Sequence, residues 1–260
     1  MSFADKVVIV TGASSGIGAA VAIKFAEEAA NVVLVARNQA KLKEVLKKCE
    51  GHRGKAITVI ADVTKNEDIK KIIAQTINQF GKIDILVNNA GVGGLAAVWD
   101  TKAMEVFDKV IATNLRSVVY LTNLAAPYLI KTKGNVVNIS SIAAVDVITT
   151  EHFAYCTSKA GLDHFMRSAA LDFAPKGVRI NSVNPGPVRT DFAENLGVGK
   201  SEADKFWEMT REATALDRIS EPDEIADLVL FLASDKARAI TGSSYITDNG
   251  CLLRRPFKAL

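Results

Sequence analysis

The chain has 260 residues, 48% of them hydrophobic and 7% aromatic, and a formal net charge of +3. That length and apolar fraction suit one α/β domain built round a layered core. A charge so near balance, with lysines set among acids as in KLKEVLKK (residues 41 to 48), reads as solvated helix faces and argues against a nucleic-acid partner. Apolar runs are strand-sized and fall short of a membrane span, and Met1 to Lys6 is too polar to begin a signal peptide. Cys49, Cys156 and Cys251 are an odd number without metal spacing, so free thiols, no metal site and a cytoplasmic location are expected.

In chain order, the first strand (near 6 to 11) runs into TGASSGIG and then into the helical pattern AAVAIKFAEEAA. Gly12 allows a tight turn, Gly16 lets phosphates approach the backbone, and Gly18 lets the helix pack on the strand. The free N–H groups of that helix start suit a pyrophosphate. The helix ends in EEAAN without the usual glycine, so Asn31 is expected to take the left-handed position in place of Ala29. The second strand (32 to 36) ends in Ala36, Arg37 and Asn38. A carboxylate there would accept from ribose hydroxyls and repel a 2′-phosphate; an arginine pairs with that phosphate, with Asn38 and Ser14 or Ser15 adding hydrogen bonds. NADP(H) is therefore the expected cofactor.

A third strand (55 to 61) leads to Asp62 and Val63, and a fourth (83 to 88) ends in Asn88, Asn89, Ala90 and Gly91, small and polar residues at a sheet edge. ATNLRS (112 to 117) places Asn114 in a helical stretch. A fifth strand (134 to 140) ends in Ser140 and Ser141, and fourteen residues beyond Ser141 comes Tyr155 in YCTSK. Tyr155 and Lys159 share one helix face, so an ammonium beside the phenol is expected to lower its pKa from about 10 towards neutrality. The sixth strand (178 to 184) precedes NPGPVRT, and the seventh lies near 243 to 247. Strands alternating with helices predict a parallel sheet covered on both faces.

The order of TGASSGIG, NNAG, a strand-end serine and YCTSK resembles the short-chain dehydrogenase/reductase family, and the likeness covers essentially the whole chain. It implies one doubly wound Rossmann domain over residues 1 to 260 with a seven-stranded parallel sheet ordered 3-2-1-4-5-6-7. It further implies that Tyr155 is the acid and base, that Ser141 holds the substrate oxygen, with Ser140 the fallback, and that Lys159 lowers the Tyr155 pKa and binds the nicotinamide ribose. Asn114 matches the family asparagine that holds a water joining the lysine to solvent. For the cofactor the likeness adds Ile17 to the glycine turn, Asp62 and Val63 at the adenine, and Asn89 to Gly91 by the adenosine ribose. Pro185, Gly186, Val188 and Thr190 then fall around the nicotinamide. A homotetramer is implied, with contacts from helices near 114 to 131 and 155 to 173 and the last strand.

Residues 189 to 216 read as a lid in which Phe192, Leu196, Val198, Phe206, Trp207 and Met209 alternate with charges. With Val92, Ile142 and Ile148 opposite, they would enclose an apolar pocket for a bulky lipophilic ketone or secondary alcohol, such as a steroid or isoprenoid. In this the chain is similar to the animal, insect-type members of the family, where ecdysteroid-type ketone reductases occur. An NAD-dependent alcohol dehydrogenase and a 3-oxoacyl-thioester reductase are the near alternatives, and a non-catalytic dinucleotide sensor the distant one. His152, close to Tyr155, is read as a loop or pocket residue.

Overall fold

A computed structural model describes residues 2–147, 149–191 and 203–254. Its strands are β1 (Val7–Thr11), β2 (Asn31–Ala36), β3 (Ala56–Ile60), β4 (Ile85–Asn88), β5 (Asn135–Ile139), β6 (Arg179–Pro185) and β7 (Ser244–Thr247). They form one seven-stranded sheet in the order β3-β2-β1-β4-β5-β6-β7, every pair parallel. Between them run α1 (Gly16–Glu27), α2 (Gln39–Cys49), α3 (Asn66–Phe80), α4 (Ala103–Ile111), α5 (Ser117–Thr132), α6 (Phe153–Phe173), α7 (Ala203–Glu212) and α8 (Pro222–Ala233). The chain is a single-domain Rossmann-like fold, as the alternation of strands and helices predicts.

The alternation of side chains along each strand divides the core into two layers. Val8 and Val10 face one side with Phe25, Leu42, Ile225 and Val229 from α1, α2 and α8. Ile9, Val33, Val35 and Leu86 face the other with Ile69, Ile72, Leu121, Leu129 and Met166 from α3, α5 and α6. Lys24 and Asp227 pair between α1 and α8.

Two local differences from the sequence reading have physical causes. The fourth strand starts two residues late, at Ile85: the Asp84 carboxylate takes the Val7 N–H at 2.9 Å in place of a main-chain acceptor and pairs with Lys82 at 3.0 Å, while its own N–H and carbonyl still bond Val7 and Asn135 of the neighbouring strands at 3.0 Å each. At the end of α1 the left-handed residue is Ala29 (φ 67°), not Asn31. The Ala30 N–H then reaches back to the Phe25 carbonyl at 2.9 Å, and Asn31 opens β2 with its side chain accepting from the Lys55 N–H at 2.9 Å. Asn31 is committed to the sheet, so the strained position falls to alanine.

Candidate active site

The reversal of strand order between β1 and β4 opens a crevice at the carboxyl edge of the sheet, where open α/β folds bind their ligands. A cleft of about 760 Å³ fills it. Gly12, Ser14, Ser15, Gly16, Ile17, Arg37, Asn38, Asp62 and Val63 line one end, and Ser141, Ile142, Tyr155 and Lys159 the other. Asn89, Ala90, Gly91, Val92, Pro185, Gly186, Val188, Thr190, Phe206 and Trp207 also line it. Asn114 and Gly18 stand behind the wall. Ile148, Phe192, Leu196 and Val198 of the expected pocket, and with them residues 192–202 of the lid, lie outside the described residues.

The glycine turn has no room for side chains. A Cβ on Gly12 (φ 67°) would stand 2.7 Å from Asn89 Nδ2, and one on Gly18 2.3 Å from the Gly12 carbonyl oxygen. Gly16 (φ 54°) faces Thr190, whose Cγ2 would be 3.0 Å from an added Cβ. Asn89 ties β4 to this turn by donating to the Thr11 carbonyl at 2.9 Å. The Thr11 hydroxyl in turn accepts from the Asn89 and Ala90 amides at 3.0 and 3.1 Å. Ser15 sits at the N-cap of α1 with its hydroxyl making no cap hydrogen bond, and the first turn carries no acid. The N–H groups of that turn therefore offer an anion site. Cradle, helix start and cleft volume together fit a dinucleotide.

At the far end of the cradle Arg37 and Asp62 are electrostatically coupled. Burial raises the Asp62 carboxyl, but hydrogen bonds from Thr64 and the charges of Arg37 and Lys65 outweigh it and hold the group below its ordinary value. Asn38 caps α2, its Oδ1 accepting from the Lys41 N–H at 3.0 Å, which leaves its Nδ2 to act as a donor. Lys41 itself reaches Asp191 at 2.7 Å. That bond, outweighing burial, holds the Asp191 carboxyl low, with help from the Ser15 hydroxyl. The Ser15–Asp191–Lys41 bridge over the cradle was not anticipated, because nothing in the sequence brings positions so far apart together.

At the other end α6 presents Tyr155 and Lys159. The phenol shares a hydrogen bond with the Ser141 side chain. Ser141 caps a short 3-10 turn, Ile142–Ala144, and accepts from the Ala143 N–H at 3.1 Å. The Ser140 hydroxyl instead donates to the Lys159 carbonyl at 3.4 Å, so the second serine of the pair meets the tyrosine. Lys159 Nζ lies 5.6 Å from the Tyr155 ring centroid and donates to the Ile139 carbonyl at 2.8 Å.

The expected lowering of the Tyr155 pKa is not what this arrangement produces. Part of the ring faces the cleft, yet burial pushes the phenol up to about 12 against the pull of the Ser141 hydrogen bond. Burial likewise pushes Lys159 down to about 8, partly opposed by Asp163. The ammonium stands over the ring and is engaged by a carbonyl, so in the protein alone desolvation outweighs attraction between the two groups. A protonated phenol is the form that can donate a proton.

Asn114 lies in a π-helical turn, Ala112–Arg116, that joins α4 to α5. The wider turn carries its buried amide inwards, where Oδ1 accepts from the Val92 N–H at 2.8 Å and Nδ2 donates to the Val92 carbonyl at 2.9 Å and to Ser158 Oγ at 3.0 Å. It thereby fixes the Gly91–Val92 segment against α6. A Cβ on Gly91 would stand 3.7 Å from Lys159 Nζ.

In the wider part of the cleft Phe206 and Trp207 of α7 meet edge to face with centroids 5.1 Å apart, and Arg189 stands over Trp207 at 5.5 Å. Thr149, His152, Met209, Thr210, Ala213 and Cys251 are also part of the lining. His152 is 9% exposed, and its Nδ1 has no hydrogen-bond partner among the described residues. Burial holds its imidazole below the ordinary value, with Glu151 opposing, so it is neutral near pH 7. Its position directly before the Tyr155 helix was the signal available in the sequence.

Known proteins are similar to this chain over nearly its whole length. The family described as Enoyl-(Acyl carrier protein) reductase matches residues 12–251. A 3-oxoacyl-(acyl-carrier-protein) reductase of Thermotoga maritima is 34% identical over 97% of this chain and 100% of its own length. An L-xylulose reductase of Caenorhabditis elegans is 36% identical over 95% of this chain and 96% of its own. The crystal structure of a C. elegans short-chain dehydrogenase/reductase of unknown function, solved with cofactor, superposes with a TM-score of 0.91 at 35% identity, covering 98% of this chain and 97% of that one. The strand order, the glycine cradle at the β1–β4 crevice, the Ser141–Tyr155–Lys159 cluster and these relatives lead to one conclusion: the chain belongs to the short-chain dehydrogenase/reductase family, oxidoreductases of CH–OH and C=O groups that use a nicotinamide dinucleotide.

Proposed function

We propose that the protein is an NADP(H)-dependent reductase of a bulky lipophilic ketone, of steroid, ecdysteroid or isoprenoid type, with Tyr155 as the proton donor. The observation that carries the reading is the meeting of Ser141, Tyr155 and Lys159 in the cleft that also holds the glycine cradle. When bound, the dinucleotide supplies hydride at the nicotinamide C4. The protein's part is to hold the carbonyl oxygen between the Ser141 hydroxyl and the Tyr155 phenol and to transfer the phenolic proton as the oxygen gains charge. Lys159 holds the ribose and favours the phenolate left behind; Asn114 steadies the wall beside both.

The preference for the phosphorylated cofactor rests on Arg37 at the end of β2, with Ala36 where a ribose-binding acid would stand. Phe206 and Trp207 support an apolar pocket. The exposed Val119 of α5, Leu171 of α6 and Ile246 of β7, with Leu171 77% exposed, support burial against another copy in a homotetramer. No helix among the described residues is long and apolar enough to cross a membrane, and we place the enzyme in the cytoplasm.

A second reading has one specific observation in its favour. His152 lines the cleft, its ring centroid 6.2 Å from that of Tyr155, and suits a substrate with a hydroxyl near its carbonyl, and L-xylulose reductase is the name of one relative. The test follows NADPH and NADH oxidation at 340 nm against lipophilic ketones, hydroxyketones and acyl thioesters, in the wild type and in Arg37→Asp. We expect turnover of a lipophilic ketone with NADPH and, in the variant, a loss of kcat/KM for NADPH at least tenfold greater than for NADH. Equal loss for both would refute the pairing of Arg37 with the phosphate.

A further inference from the structure

Behind the catalytic cluster lies a buried carboxylate that the proposed reaction does not use directly. Asp163 is 4% exposed and stands one turn beyond Lys159 and two beyond Tyr155, on the same face of α6. One of its oxygens accepts from Asn184 Nδ2 at 2.6 Å, and the same nitrogen donates to the Ser141 carbonyl at 3.0 Å. Asn184 is fully buried in β6, so the contact joins α6, β6 and the turn that carries the serine. The remaining Oδ1 of each residue has no hydrogen-bond partner among the described residues. A buried carboxylate and amide left partly unsatisfied destabilise a fold relative to a packed apolar pair, so stability does not account for this one.

We infer that Asp163 is a positioning residue for the catalytic cluster, its carboxylate fixing Asn184 against the Ser141 carbonyl while its charge stands behind the Lys159 ammonium. The inference rests on the proposed roles of Ser141, Tyr155 and Lys159. Among the described residues, the groups that act on the Lys159 ammonium include Tyr155 and Asp163 on its own helix, the Ile139 carbonyl at the end of β5 and, from the adjoining wall, Gly91. Asp163 is the charged group that opposes the loss of the lysine's proton on burial. Removing its charge while keeping its shape would let Lys159 deprotonate at lower pH. Removing Asn184 would free the serine and leave the charge in place.

The test compares pH profiles of ketone reduction for the wild type, Asp163→Asn, Asp163→Glu, Asn184→Ala and Tyr155→Phe. In Asp163→Asn the alkaline limb of kcat should move at least one pH unit lower with the ketone KM within threefold, and Asp163→Glu should restore most of the shift. Asn184→Ala should lower kcat about tenfold without moving the limb. A limb in Asp163→Asn that coincides with that of the wild type, or a loss equal at every pH, would overturn the inference while Tyr155→Phe stays inactive. An active Tyr155→Phe would instead overturn the catalytic reading beneath it. Should Asp163→Asn fail to fold, Asp163→Ser serves as the charge-removing variant, judged by the same limb.

Discussion

Lys159 shows what the site demands of single residues. Its ammonium is buried beneath Tyr155, holds the Ile139 carbonyl, and is pushed down to about 8, whereas an unfolded lysine has its ordinary value of 10.5. Between these values the unfolded chain binds the extra proton, so this group's contribution to stability is least favourable below about pH 8 and improves as pH rises towards 10.5. Other groups titrate nearby: Cys49 is raised by burial to about 11, which acts in the opposite direction. The difference between the wild type and Lys159→Met isolates the lysine. Urea midpoints measured from pH 7 to 10 should show the variant's stability advantage shrinking with rising pH; a constant difference would mean that Lys159 is not buried as a cation. At this scale the Tyr-x-x-x-Lys spacing was legible, because helical period alone puts the pair on one face. The sign of the tyrosine shift was not, because it depends on how many atoms other elements pack around the phenol.

At the scale of elements, strands and glycine turn were readable because their cause is local: alternating apolar runs, and a turn whose glycines stand where a Cβ would collide with Asn89 or with the turn's own backbone. The π-helical turn at Asn114 was not, since one extra residue per turn has no signature in composition and is held by the amide's bonds to Val92 and Ser158. The end of α1 was misassigned for a similar reason. Asn31 is the better left-handed residue, but β2 takes it for the bond to Lys55, and Ala29 is left with φ 67°. An L-residue in that region costs about 1–2 kcal/mol, and glycine relieves it at some cost in chain entropy. Ala29→Gly should therefore stabilise the protein by about 1 kcal/mol, measured by urea unfolding with unchanged slope. A destabilised variant would contradict the strain.

For the whole molecule, the strand order decides where function lies. The crossover between β1 and β4 places the glycine cradle, Arg37, the NNAG edge and the α6 tyrosine on one side of one sheet, although they come from the first and the later halves of the chain. The motifs announced that convergence before any geometry was known. Contacts between motifs were hidden: Ser15 with Asp191 and Lys41, and Asp163 with Asn184 and Ser141, join positions far apart in sequence. His152, read only as a loop or pocket residue, shows its unpartnered nitrogen only once the wall around it is assembled. The most direct measurement on the whole enzyme is a paired one on Tyr155→Phe, titrating NADPH by its fluorescence and following ketone reduction. The account predicts an NADPH dissociation constant within about threefold of the wild type and turnover reduced at least a thousandfold. Retained turnover, or loss of NADPH binding together with turnover, would contradict it.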